Sequence, residues 1–175
     1  YKVDPAALQE IRLELMQPSP DEKNMKSVDV IADILAQKPC LNVDFYYAID
    51  RTKAADSLAY LLSVEDYIKY SISFGVAVRN VPDSTLLKYL IGKPSSAQLQ
   101  NNPQLGILCK NYIGQAKLTA EIDSLRSCQT DFMANYLGHD KSIPAGRFRV
   151  IPVAPDTIKP PLNYPAFRTY FTAGE

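Results

Sequence analysis

The stretch Lys117–Val153, KLTAEIDSLRSCQTDFMANYLGHDKSIPAGRFRVIPV, decides the fold class. Ile122, Leu125, Phe132, Met133, Tyr136 and Leu137 recur at three- and four-residue steps, the spacing of one buried helix face. Thr119 is placed to cap the start of that helix, and Glu121 suits the positive end of its dipole. Gly138 stands where a helix ends in the left-handed conformation. Arg147, Phe148, Arg149 and Val150 then alternate, which is a strand period. On this helix Leu125 reads as core and Arg126 as the flank of the apolar stripe, nearest the following strand or loop. A long amphipathic helix followed by a strand makes the domain α/β.

Upstream, Ile11, Leu13 and Leu15 alternate with Arg12 and Glu14, a short strand with one buried face. Ser19-Pro20-Asp21-Glu22 reads as a capping box with proline at the first helical position. The helix that follows runs to about Gln37, with Met25, Val28, Ile31 and Leu35 as its buried stripe. Leu41, Val43, Phe45, Tyr47 and Ile49 alternate through the clearest strand in the chain. Strand, helix and strand in this length predict a βαβ unit. Asp50 or Thr52 can cap the next helix, whose inner face holds Leu58, Leu61, Leu62, Ile68 and Ile72.

From residue 73 to residue 115 the strand period is lost, and Pro82, Gly92, Pro94 and Pro103 punctuate the chain. Asp83 to Ile91 reads as a short helix closed by Gly92, and Gln104 to Tyr112 as another helical piece. A plain connection of this length is uncommon inside one domain, so 73–115 is expected to be a helical insertion or lid within a single domain spanning 1–175. Ala166 to Thr172 alternates as a last, antiparallel strand. The expectation is a mixed sheet of about four strands packed on helices, an α/β or α+β fold.

Composition excludes several functions. Lysine plus arginine and aspartate plus glutamate number 19 each, so the net charge is +0, without the basic excess of a nucleic-acid binder. No apolar run reaches the roughly 18 residues of a membrane span. The chain opens on Tyr1 with no leader pattern and reads as a piece of a longer protein or a trimmed mature form. His139 is the single histidine, Cys40, Cys109 and Cys128 have no ligand spacing, and a metal site is not expected. The cysteines suit small buried apolar positions, though a Cys109–Cys128 bridge is conceivable in an oxidising compartment.

No GxSxG elbow and no glycine-rich phosphate loop occurs, and the carboxylate pairs Asp21/Glu22 and Glu65/Asp66 sit on helices as caps or solvated faces. An enzyme is therefore not expected, nor a cofactor. One constellation points to binding. Asp50 ends a strand, where α/β sheets commonly bind ligands, and Arg126 lies in a helix expected to pack on the same sheet. An arginine takes a carboxylate bidentately and an aspartate takes an ammonium, so the two suit a zwitterion. An ordinary N-cap and an ordinary surface arginine give the same sequence.

The order of elements resembles the OmpA-like C-terminal domain, and more closely its variant at the C-terminal end of AsmA-like envelope proteins, a domain of unknown function. The matching residues are Ile34 to Leu41 running on to Asp50, with Ala54, Ala55 and Leu58 behind. Tyr67-Ile68-Lys69-Tyr70 opens the helical insertion. Leu125-Arg126, Phe132, Tyr136-Leu137, Ile143-Pro144 and Arg147-Phe148 follow, then Ala166 to Phe171. The likeness covers nearly the whole chain and rests on order and spacing rather than on one motif.

The resemblance implies a non-catalytic module in the periplasm, part of a longer envelope protein. OmpA-like domains bind peptidoglycan stem peptide through an aspartate after the second strand and an arginine in a later helix, which here are Asp50 and Arg126. There are departures. The usual Thr-Asp pair is Ile49-Asp50, and the preceding glycine is Tyr47 or Ala48. The serine before the arginine is not in place, and the terminal Asn-Arg is Phe167-Arg168. The alternative the same resemblance implies is a structural or protein-interaction module of outer-membrane biogenesis or lipid transport, its partners other envelope proteins.

Overall fold

A computed structural model describes residues 5–91, 105–160, 162 and 164–174. Its elements, in order, are α1 (Pro5–Gln9), β1 (Glu10–Arg12), α2 (Glu22–Gln37), β2 (Leu41–Ala48) and α3 (Arg51–Ser73). There follow α4 (Asp83–Ile91), α5 (Leu105–Ile113), α6 (Gln115–Asn135), β3 (Phe148–Pro152) and β4 (Ala166–Ala173). The strands form one mixed sheet in the order β1-β4-β2-β3, which makes the fold α+β as the sequence implied.

The pairing corrects the simple βαβ expectation. β2 runs parallel to β3, with Val43 opposite Phe148, but β1 pairs antiparallel with β4, with Ile11 opposite Phe167. The last strand is inserted between the first two, antiparallel to both. β4 has the length for this: its eight residues match the eight of β2 register for register, from Leu41 opposite Ala173 to Ala48 opposite Ala166. β1, three residues long, has no such length to offer β2.

The chain divides into two units, Tyr1–Ala54 with Asp123–Glu175, and Ala55–Ile122. The first holds the sheet. Val43, Phe45 and Tyr47 share one side of β2 by strand alternation and are fully or almost fully buried. Phe167 of β4 meets them edge-on, 6.1 Å from Phe45 and 5.4 Å from Tyr47 between ring centres. Val28, Ile31 and Leu35 of α2 and Met133 of α6 complete the core. The opposite side of the sheet buries Ala48 and Ala166 under Ile158 and Leu162.

The second unit is helical. Leu58, Leu62, Leu86, Leu90, Leu108 and Leu118 are among its buried residues. Hydrogen bonds from Tyr60 to Asp83 (3.0 Å) and from Tyr112 to Asp66 (2.9 Å) join its helices, as does the Lys110–Asp56 ion pair at 2.8 Å. Its limits are wider than the 73–115 insertion read from the sequence, because most of α3 and the first turns of α6 belong to it. Gly92, Pro94 and Pro103 lie outside the described residues.

Several local expectations change. Asp21, not Ser19, caps α2, accepting from the Asn24 amide at 2.8 Å. α6 begins two residues before Lys117, straight after Gly114, whose φ of 89° is left-handed and ends α5. Thr119 is therefore inside the helix, its hydroxyl accepting from the Gln115 side chain at 3.3 Å. Gly138 is not the left-handed stop. Tyr136–Asp140 forms a single π turn, and the positive φ falls at Ser142. The Phe148 ring lies against Gly138, its Cζ 3.7 Å from where a Cβ would stand, an ordinary van der Waals distance. Leu61 and Ile72, read as inner-face residues of α3, are exposed. The cysteines are free: Cys109 is buried, while Cys40 and Cys128 are exposed.

Candidate functional site

β2 and β3 run side by side in the same direction and end together. β2 carries Tyr47 on the buried side of the sheet and leaves it through Ile49 and Asp50. The Asp50 carboxylate turns onto its own helix, Oδ1 accepting from the amides of Thr52 and Lys53, both at 3.1 Å. That cap starts α3 at once and sets Arg51 in its first turn. Beside it, β3 ends at Pro152, and the Val153 amide donates to the Tyr47 carbonyl at 2.8 Å. Pro155 opens a short 3-10 turn that carries the chain away.

Between these strand ends lies a cleft of about 370 Å³. Tyr47, Ile49, Pro152 and Val153 give it apolar surface, and Ala154 and Pro155 form the rest of the chain side. Arg51 and Arg126 supply its charge. This is the carboxyl-end crevice of a parallel strand pair, the place where α/β sheets bind ligands.

Arg126 reaches the cleft because of its place on α6. Gln129, Met133 and Leu137 are buried at four-residue steps, and Arg126, three residues before Gln129, is the next position on that line towards the N-terminus. The sequence reading had set Leu125 in the core and Arg126 on the flank. Leu125 is only half-buried, and the inward line passes through Arg126. Arg126 is exposed and has no acidic partner among the described residues, whereas Arg51 pairs with Asp123 at 2.9 Å.

Beneath the arginines a buried polar network fixes the floor. The Tyr47 hydroxyl donates to Gln129 Oε1 at 2.8 Å. Gln129 Nε2 donates in turn to the carbonyls of Glu14 (2.8 Å) and Gln17 (2.9 Å). Gln129 is fully buried, and these three bonds use both ends of its amide. Burial lifts the Tyr47 hydroxyl above its ordinary value, while the charges of Arg126 and Arg51 pull the other way. The tyrosine is therefore a neutral donor, already engaged, and not a proton shuttle at neutral pH.

The structure thus brings Arg126 to the cleft and leaves Asp50 out of its walls; the residues on either side of Asp50, Ile49 and Arg51, line it. The sequence reading missed Arg51, Tyr47 and Gln129. Gln129 carried a signal, a polar residue three positions after Arg126 on an otherwise apolar helix line. Arg51 carried none beyond following the capping aspartate.

Arg147 and Arg149 lie at the other end of the parallel pair, beside a hollow of about 110 Å³. Their guanidiniums are already committed. Arg147 donates to the carbonyls of Leu35 (3.0 Å), Lys38 (2.8 Å) and Leu41 (2.8 Å), tying the end of α2 to the start of β2. Arg149 holds the buried Asp44 through two bonds, at 2.7 and 2.6 Å. His139 is exposed, and among the described residues no group of three acids, histidines or cysteines could hold a metal ion. No helix among them is long and apolar enough to cross a membrane. Comparison of the chain with protein-family models, curated proteins and solved structures gave no match.

Proposed function

We propose that this chain is a non-catalytic binding domain of a periplasmic envelope protein, and that its cleft holds a carboxylate of peptidoglycan stem peptide on Arg126. The observation that carries this is an arginine without an acidic partner among the described residues, in a cleft at the ends of two parallel strands. A guanidinium there offers two parallel donors to a carboxylate, and the apolar floor takes the aliphatic part of the ligand. The OmpA-like order of elements supports the choice of ligand and the AsmA-like context. In this proposal Asp50 acts through the backbone: its cap starts α3 where Arg51 faces the cleft.

A sacculus pull-down tests it. Wild-type protein should sediment with purified peptidoglycan, and Arg126→Ala should remain in solution. Equal sedimentation of both, or of neither, rejects the proposal.

The alternative, a protein-interaction module, has its own observation. Tyr70 and Ile72 in the last turn of α3, and Phe74 and Val76 just beyond it, are 46%, 60%, 71% and 53% exposed. Clustered exposure of large apolar side chains of this kind marks interaction surfaces. It belongs to the helical unit and not to the cleft.

A further inference from the structure

We infer that Arg51 and Arg126 act together on one doubly charged anionic group, and that Asp123 is the resident anion such a ligand displaces. This rests on the binding role of the cleft proposed above and adds its charge class. Both arginines line the same cleft, whose remaining surface is largely apolar. The one acid ion-paired with either of them, among the described residues, is Asp123, on Arg51 at 2.9 Å. That pair is 44% and 50% exposed, and ion pairs so exposed are weak and easily exchanged.

The number of guanidinium donors selects the ligand. With Asp123 in place the cleft carries one uncompensated cation, Arg126, and a single carboxylate satisfies it. Once Arg51 leaves Asp123 there are two guanidiniums, and each can give a carboxylate or phosphate oxygen pair two N–H donors. A dianion can meet both guanidiniums while Asp123, half exposed, turns its carboxylate to water; a monoanion meets only one of them. Asp123 lies three residues before Arg126 on α6, so it needs no movement of the helix to let go of Arg51. The ligand class is therefore a phosphate monoester or a pair of neighbouring carboxylates on an apolar stem. Tyr47 is in the same place for both arginines: its hydroxyl feels the charge of each.

The test is a titration of the protein with malonate, inorganic phosphate and acetate at matched ionic strength, at a pH where phosphate is a dianion. Backbone amide shifts of Ile49, Arg51 and Val153 give the readout. Malonate or phosphate should bind about tenfold more tightly than acetate, and whichever is tighter names the ligand's group. Arg51→Gln should abolish that preference. Asp123→Asn should tighten dianion binding by about tenfold, since the competing carboxylate is gone.

Equal affinity for malonate, phosphate and acetate in the wild type, lost in Arg126→Gln, overturns the paired clamp but leaves the role of Arg126 standing. Absence of any anion binding overturns both. If Arg51→Gln does not fold, Asp123→Asn decides: no gain in dianion affinity overturns the clamp.

Discussion

Gln129→Ala probes the cleft floor more sharply than any change at its rim. The side chain is fully buried and holds three neutral hydrogen bonds, from Tyr47 and to Glu14 and Gln17. Each such bond contributes a net of about 0.5–1.5 kcal/mol, and each partner stranded away from water costs about 1–3. The loop carbonyls can recover water when the segment loosens, but the Tyr47 hydroxyl, on a residue 1% exposed, cannot. Summing the lost bonds and one stranded donor puts the cost at about 2.5 kcal/mol or more. Tyr47→Phe strands only Gln129 Oε1 and should cost about 1–2 kcal/mol. The paired variant Tyr47→Phe/Gln129→Leu should fall short of additivity by about 1 kcal/mol, because the two residues share one bond. Urea unfolding followed by far-UV circular dichroism gives these numbers. The loop should also lose amide-exchange protection, since Met16 sits there at a left-handed φ of 78° that nothing but the tertiary contacts favours. A Gln129→Ala variant within about 1 kcal/mol of wild type would mean that the Tyr47–Gln129 network does not hold this part of the fold together.

Other substitutions and conditions have equally definite outcomes. Met133→Ala, at a residue 0% exposed, should cost about 2–5 kcal/mol in urea melts, and Leu125→Ala, only half-buried, clearly less. Maleimide should label Cys40 and Cys128 in the native protein, while Cys109, buried and with its thiol pushed up by that burial, should react only on unfolding. Asp29 supplies a pH test. Burial alone would raise its carboxyl, but bonds from Lys141 (2.8 Å) and Tyr136 (2.6 Å) outweigh it and hold the value below the ordinary one. A depressed carboxylate stabilises the fold above its unfolded value and stops doing so as the pH falls through the folded one. The advantage of wild type over Asp29→Asn in melting temperature should therefore shrink below about pH 4.

The sheet was legible where alternation was strong. Leu41–Ile49 and Ala166–Thr172 announced β2 and β4, and the period-3.6 stripe of residues 117–137 announced α6. Pairing was not legible: side-chain alternation says which face a residue takes, not which strand lies beside it, so β4 entering between β1 and β2 left no local mark. Helix ends went astray for a related reason. Gly138 and Ser142 are both candidates for the left-handed stop, and the π turn over Tyr136–Asp140 carries the helix past Gly138 to the positive φ at Ser142. At the site, Asp50 was legible as a cap and Arg126 as a marginal residue of α6. The choice between Leu125 and Arg126 for the inward line turns on about 100° of helix rotation, which six apolar residues in the stripe did not fix. Gln129 shows why: a buried polar side chain defines the inward line here, and hydrophobic periodicity passes over it.

The central claim is that the cleft at the ends of β2 and β3 binds a carboxylate ligand through Arg126. Isothermal titration of the wild type and Arg126→Ala with a diaminopimelate-containing stem tripeptide tests it most directly. Because Arg126 is exposed, its replacement should leave the melting transition within about 1 kcal/mol of wild type, so the comparison is between folded proteins. Saturable binding by the wild type, weakened at least about tenfold in Arg126→Ala, is the predicted result. Equal binding by both proteins, or no heat with either, would contradict it.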